Sequence, residues 1–304
     1  MTFEEFLDRY QKAPVEEYGT YTGPVNPLLS VHVHTYNHAP YIDKCLKGIL
    51  AQKTTFDFEI CIGDDESGDG TTEICKWYAD KYPDLIRLFI NKRANNIKVN
   101  GEPTGKFNGT YTRNQMRGKY IAFVEGDDYW TDTSKLQKQV DFLENNPEYS
   151  LTFHDIVVCD ADGRLLDIEL FPEVNKKDCS AEKLMAGFWV TPLTLCFRNI
   201  KDLDIPDEQL KVLNGDKFLT TRLGLYGGAK YLSEIEPAVY RVHGSSNWSS
   251  RPAVEQNYFN THTFTYLAKY FSRIGKKDIA AVHAKNAKKH MKAFKDELSQ
   301  GNTT

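Results

Sequence analysis

The first sustained hydrophobic pattern begins at Leu28. Residues 28–33, with Leu28, Leu29, Val31 and Val33, are short and apolar and predict a strand. Residues 40–52 place Tyr41, Ile42, Cys45, Leu46, Ile49 and Leu50 at helical spacing, with Pro40 at the first turn. The alternation repeats, with strands over 58–62 and 85–90 around a helix over 71–82. A fourth strand over 120–124 ends in acidic residues, and a helix over 134–145 stops before Pro147. Strands alternating with helices predict an α/β fold whose parallel sheet is covered on both faces. Residues 1–27 read as an N-terminal extension, a short amphipathic start and a Gly/Pro/Tyr-rich connector. Residues 28–255 form the main domain, mixing strands and turns over 150–200, and 256–304 form a helical C-terminal segment.

In such a sheet, ligands bind beyond the carboxyl ends of the strands. Three polar clusters stand there: His34-Thr35-Tyr36-Asn37, Asp64-Asp65-Glu66-Ser67 and Glu125-Gly126-Asp127-Asp128. Carboxylates converging from neighbouring strand ends can hold Mg²⁺ or Mn²⁺ together with a phosphate, because a hard cation takes oxygen ligands. Any one such turn is more commonly a helix cap. Two in register weigh against that. Residues 91–109 are polar and Asn/Gly-rich, and predict a long functional loop.

Composition narrows the classes. The net charge of −4 and the dispersed Lys/Arg residues exclude a nucleic-acid-binding footprint. No window of about 20 apolar residues predicts a membrane span. The acidic N-terminus lacks a secretory pattern, and the six cysteines show neither paired metal-site spacing nor an extracellular context. A cytoplasmic, reducing location is expected. The glycosylation sequons at Asn108 and Asn247 are then chance matches. The C-terminal lysines, Lys276 to Lys295, interleave with Ile279, Val282, Met291 and Phe294. A basic amphipathic helix of this kind can rest on an anionic membrane, although a solvated face on a packed helix is the commoner meaning.

No G-x-G-x-x-G follows the first strand, and residues 101–106 are too short for a phosphate-binding P-loop. The residues alone reach an α/β protein with an acidic, metal- and phosphate-binding edge. Three segments go further: SVHVHTYNHAPYIDKCLKGILAQ, FEICIGDDESGDGTTEIC and GKYIAFVEGDDYWTDTSKLQKQVDFLENNPEY. In this order they resemble the inverting family 2 glycosyltransferases of the GT-A fold. The likeness covers most of residues 28–160 and returns near 191–198, 213–219 and 240–247.

The resemblance implies a metal-dependent transfer of sugar from a nucleotide-diphosphate donor, uridine by family habit, to a glycan or lipid-linked acceptor. His34, Thr35, Tyr36 and Asn37 would lie beside the nucleotide. Asp65 would hold base or ribose with Asp64 supporting it, and Lys106 would be a basic residue near the donor. Glu125-Gly126-Asp127 stands where the family has Asp-x-Asp, so Asp127 would bind Mn²⁺ or Mg²⁺ and Asp128 would help position the donor. Asp216 would be the general base, preceded by Gly215 where the family often has Glu. Arg241 would meet the diphosphate and His243 would complete the metal shell, within Tyr240-Arg241-Val242-His243-Gly244-Ser245. Thr191-Pro192-Leu193-Thr194 would underlie the acceptor. Two alternatives stay open. A nucleotidyltransferase would want a Gly-rich basic loop after the first strand. A catalytically silent sugar-nucleotide or glycan-binding module is kept open by the departures at Glu125 and Gly215.

Overall fold

The structure is a computed structural model that describes residues 1–200, 204–244, 248 and 251–301. In chain order the strands are β1 (Glu16–Tyr18), β2 (Leu29–Thr35), β3 (Phe58–Asp64), β4 (Ile86–Ile90), β5 (Ile97–Val99), β6 (Glu102–Thr104), β7 (Tyr120–Glu125), β8 (Tyr149–Phe153), β9 (Ile156–Cys159), β10 (Leu165–Leu166), β11 (Cys196–Arg198), β12 (Gly228–Tyr231) and β13 (Ala238–Arg241). The helices are α1 (Phe3–Tyr10), α2 (Ile42–Leu50), α3 (Thr71–Lys81), α4 (Lys106–Gln115), α5 (Lys135–Asn145), α6 (Ala181–Met185), α7 (Asp207–Leu210), α8 (Gly215–Leu223), α9 (Ala253–Arg273) and α10 (Lys277–Gly301).

The main sheet runs β1-β4-β3-β2-β7-β11-β8-β12. Its centre, β4-β3-β2-β7, is parallel, as the alternating pattern predicts. The flanks differ from that expectation: β1 pairs antiparallel with β4, and β11 runs antiparallel to both β7 and β8. The chain steps from β2 to β3 and β4 on one side and returns to β7 on the other. A crevice therefore opens between β2 and β7, where the strand order reverses. A second sheet, β10-β9-β13, carries the Tyr240-Arg241 element towards that crevice.

The central strands are buried on both faces, which explains their unbroken apolar runs. Leu29, Val31, Val33, Ile60, Ile62, Ile121, Ala122 and Val124 are all essentially without exposure. Ile42, Cys45, Leu46 and Ile49 of α2 pack into the same core. The polar stretch expected as a loop is partly helical, because α4 begins at Lys106. Its apolar periodicity is weak since Asn108 and Thr112 face inward. Asn108 Nδ2 donates to the Gly63 carbonyl at 2.8 Å, and its Oδ1 accepts from Asn91 Nδ2 at 2.7 Å. Those bonds replace the apolar contacts that a sequence pattern reports.

Residues at both ends of the chain brace the site. A capping box of Thr2 and Glu5 starts α1, whose Phe6 stacks on Phe107 of α4 at 5.3 Å. The expected boundary after residue 255 falls inside the first turn of α9. Phe264, Leu267 and Phe271 of α9 join Ile279 and Ala287 of α10 in a core that also takes Phe218 of α8 and Val212 just before that helix. Ser245, Asn247 and Ser249 lie outside the described residues.

Candidate active site

Two loops close on each other at the crevice. Gly126 makes that possible: a Cβ there would come within 2.7 Å of Thr35 Oγ1 and 2.9 Å of His38 Nδ1. The Gly126 amide donates to the His34 carbonyl at 2.9 Å, which ties the end of β2 to the end of β7.

Glu125, Asp127 and Asp128 each present an oxygen, and these oxygens lie within 4.8 Å of one another. Asp127 is 8 % exposed, and its Oδ2 meets His243 Nε2 at 3.0 Å and His38 Nε2 at 3.7 Å. Burial alone would raise its carboxyl. The hydrogen bond from His243 and the charge of His38 more than offset burial and hold it below the usual range. Its Oδ1 is buried and makes no hydrogen bond. An ionised carboxylate with one orphaned buried oxygen, between two further carboxyls, fits a divalent cation. Asp128 is raised well above the usual range by burial, then by Asp127 and Glu125, and its Oδ1 accepts the Arg241 amide at 2.8 Å. Glu125 is raised too, first by the surrounding protein and then by Asp127 and Asp216. Glu125 is exposed, so repulsion from those two carboxylates is the firmer cause. Asp216, in the first turn of α8, is near enough to add to that repulsion. Asn214 rather than Asp216 occupies the N-cap position of α8.

The second group lies beyond β2 and β3. Asp65 Oδ2 accepts from Arg93 Nη1 at 3.0 Å and Asn96 Nδ2 at 2.9 Å. Burial pushes the Asp65 carboxyl up to about 6, against the pull of Asn96 and Arg93. The Arg93 guanidinium lies 4.0 Å over the Tyr36 ring, which is 38 % exposed and forms an open aromatic platform. Asp64 is turned inward, held by Ser67 and by Thr72 Oγ1 at 2.6 Å, and shapes the turn. Asn37 does likewise: its Oδ1 accepts the Gly68 amide at 3.0 Å. Thr35 is buried beneath the loop, and burial pulls the His34 imidazole down to about 4.

Arg241 is anchored behind the carboxylate turn. Its Nε donates to the Asp127 carbonyl at 3.0 Å, and its Nη1 donates to the Asp160 and Ala161 carbonyls. The guanidinium also faces the rings of Tyr41 and Tyr129. It thereby fixes the backbone of the carboxylate turn. Trp130 is structural as well, with its Nε1 donating to the Leu193 carbonyl at 2.8 Å. His38, Arg93 and Asn96 escaped the sequence reading. His38 is one of six histidines without a distinguishing pattern, and Arg93 and Asn96 stand in a stretch read as loop. A separate cleft of about 610 Å³ between α1, α7 and α9 shares no residue with the cluster, and its Arg9–Asp207 and Arg273–Glu208 pairs neutralise each other.

Comparison with known proteins joins these parts. The sequence profile of Glycosyl transferase family 2 matches residues 30–100, which hold β2, β3 and the Tyr36/Asp65/Arg93 group. The uncharacterised protein Rv1520 of Mycobacterium tuberculosis is 34% identical over 77% of this chain. TuaG of Bacillus subtilis, whose name refers to a glycosyltransferase of teichuronic acid biosynthesis, is 32% identical over 46% of this chain and 51% of its own length. Residues 30–100 therefore carry the signature of glycosyltransferase family 2. The match spans 64% of the length of the mycobacterial relative. The fold of this chain is GT-A. Staphylococcus aureus TarS, solved with UDP-GlcNAc, superposes with a TM-score of 0.55 at 18% identity, covering 81% of this chain and 72% of TarS. The mannosyltransferase PcManGT of Pyrobaculum calidifontis, solved with GDP-Man and Mn²⁺, superposes with a TM-score of 0.56 at 17% identity, covering 97% and 85%. No helix among the described residues is long and apolar enough to cross a membrane.

Proposed function

We propose that this chain is a glycosyltransferase that moves a sugar from a nucleoside-diphosphate donor to a hydroxyl of a glycan or lipid-linked acceptor, with inversion. The observation that carries the reading is the convergence of Glu125, Asp127 and Asp128 on the β7 turn, with an Asp127 oxygen left without a partner, and Asp216 is the nearby carboxylate assigned as base. The ring of Tyr36 offers the base a stacking face, and Asp65 offers an acceptor to its N–H or to the ribose. Uridine is our first assignment, following the TarS complex, with guanosine the alternative that PcManGT raises.

Asp127, with Glu125 and Asp128 beside it and His243 on its far oxygen, would hold Mn²⁺ or Mg²⁺. Such an ion, when bound, stabilises negative charge on the departing diphosphate. The chain's own groups do the rest. Arg241 holds the turn, and His243 orients Asp127. Asp216 takes the proton from the acceptor hydroxyl as that oxygen bonds to the anomeric carbon, and the bond to the diphosphate oxygen breaks with its electron pair leaving on the nucleotide. The teichuronic acid assignment in the name of TuaG supports a surface-polysaccharide acceptor. Six buried free thiols support a reducing, cytoplasmic setting. Lys285, Lys288, Lys289, Lys292 and Lys295 share one exposed face of α10, opposite the buried Ile279, His283 and Ala287. That face suits contact with an anionic membrane carrying the acceptor.

The test separates two variants. Asp127→Ala is expected to lose metal-supported binding of the nucleotide sugar. Asp216→Asn is expected to keep that binding and lose about 10²- to 10⁴-fold in turnover. Full turnover by Asp216→Asn would refute the assignment of the base.

A further inference from the structure

Lys106 opens α4, and its side chain runs towards the start of α8. Two glycines clear its lane. A Cβ on Gly215 would come within 3.0 Å of Lys106 Nζ. On the near side, a Cβ on Gly105 would overlap the His34 imidazole, which packs alongside. Gly215 is the position immediately before Asp216, where the family resemblance leads one to expect a glutamate. Here the ammonium of Lys106 takes that space, so the departure at Gly215 and the placement of Lys106 are one feature.

Lys106 is half-buried. Burial pulls Lys106 down to about 8, and the one charge that opposes this is Asp216. Among the described residues no carboxylate reaches ion-pairing distance of Nζ. A cation half withdrawn from water with no partner carries part of the desolvation cost, and a carboxylate brought to it in the working state offsets that cost. Asp216 is the carboxylate at hand.

We propose that Lys106 is a positioning residue for Asp216, holding its carboxylate towards the acceptor side of the cleft, and that Gly215 exists to admit it. This rests on Asp216 being the base, as proposed above. It departs from a donor-binding role for Lys106. A positioning role acts on turnover and leaves the donor's affinity alone.

The experiment uses the full chain and the variants Lys106→Ala, Gly215→Ala and Asp216→Asn. Binding of UDP and GDP with Mn²⁺ is measured by calorimetry, and turnover by release of nucleoside diphosphate from UDP- and GDP-sugars. Lys106→Ala should keep nucleotide affinity within about twofold and lose about 10- to 100-fold in kcat, the scale of a misplaced catalytic group. Added methylammonium should restore part of the Lys106→Ala loss and none of the Asp216→Asn loss. Gly215→Ala meets only the end of a flexible side chain, so it should fold and show the same fall in kcat. It carries the test if Lys106→Ala fails to fold. A tenfold or greater loss of nucleotide affinity with kcat unchanged would make Lys106 a donor ligand and overturn the proposal. Unchanged kcat and affinity in both variants would overturn it as well. A wild type that binds no nucleotide, or an Asp216→Asn as active as wild type, marks failure of the underlying reading, visible without either Lys106 or Gly215 variant.

Discussion

Asp127 and Asp65 sit in opposite electrostatic settings, and each setting yields a test. Asp127 is held ionised by His243 and His38, so removing one imidazole should weaken the site without abolishing it. His243→Ala is expected to lower Mn²⁺ affinity about 10- to 100-fold, as read by electron paramagnetic resonance of free Mn²⁺. Unchanged affinity would remove His243 from the metal shell. Asp65 is pushed the other way, up to about 6. If its carboxylate receives the nucleotide, affinity should be full above pH 7 and fall as pH drops through about 6. In Asp65→Asn that pH dependence should vanish, as measured by nucleotide titration at several pH values. At this scale the sequence was informative where a strand end carried carboxylates. It was silent about pairing. Nothing in the string placed His38 against Asp127 or Arg93 over Tyr36, because those contacts join residues whose nearness depends on sheet register.

The central strands and α2, α3 and α5 were legible because burial on both faces of a parallel sheet leaves unbroken apolar runs. α4 was not, because its inner face is secured by Asn108 and Thr112 rather than by aliphatic side chains. α8 carries Asp216 in its first turn, with Asn214 at its cap. The packing of α1 on α4 makes a prediction at this scale. Phe6 is fully buried and stacks on Phe107, one residue after Lys106. Phe6→Ala should cost about 3–5 kcal/mol in denaturant unfolding. A cost below about 1 kcal/mol would mean that α1 does not brace α4. The antiparallel strand β11 and the edge strand β1 were also missed, since three-residue strands carry no periodicity of their own.

At the scale of the molecule, the topology explains why the candidate groups share one crevice. β2 and β7 are neighbours at the reversal of strand order, so the Tyr36 loop and the carboxylate turn emerge side by side. The α9–α10 hairpin backs α8, and its lysine face points away from that packing. Replacing Lys285, Lys288, Lys289 and Lys292 with Gln should abolish sedimentation with anionic phosphatidylglycerol vesicles at low salt and leave nucleotide binding intact. Equal sedimentation of both proteins would remove α10 from membrane contact. The central claim is a metal-supported transfer site built on Asp127. Its most direct test is cleavage of a panel of nucleotide sugars by the wild type and Asp127→Ala, each with Mn²⁺, Mg²⁺ or EDTA. The account predicts that at least one donor is cleaved by the wild type with metal, and that EDTA and Asp127→Ala each abolish cleavage. Cleavage that survives both, or no binding of any nucleotide sugar with either metal, would contradict it.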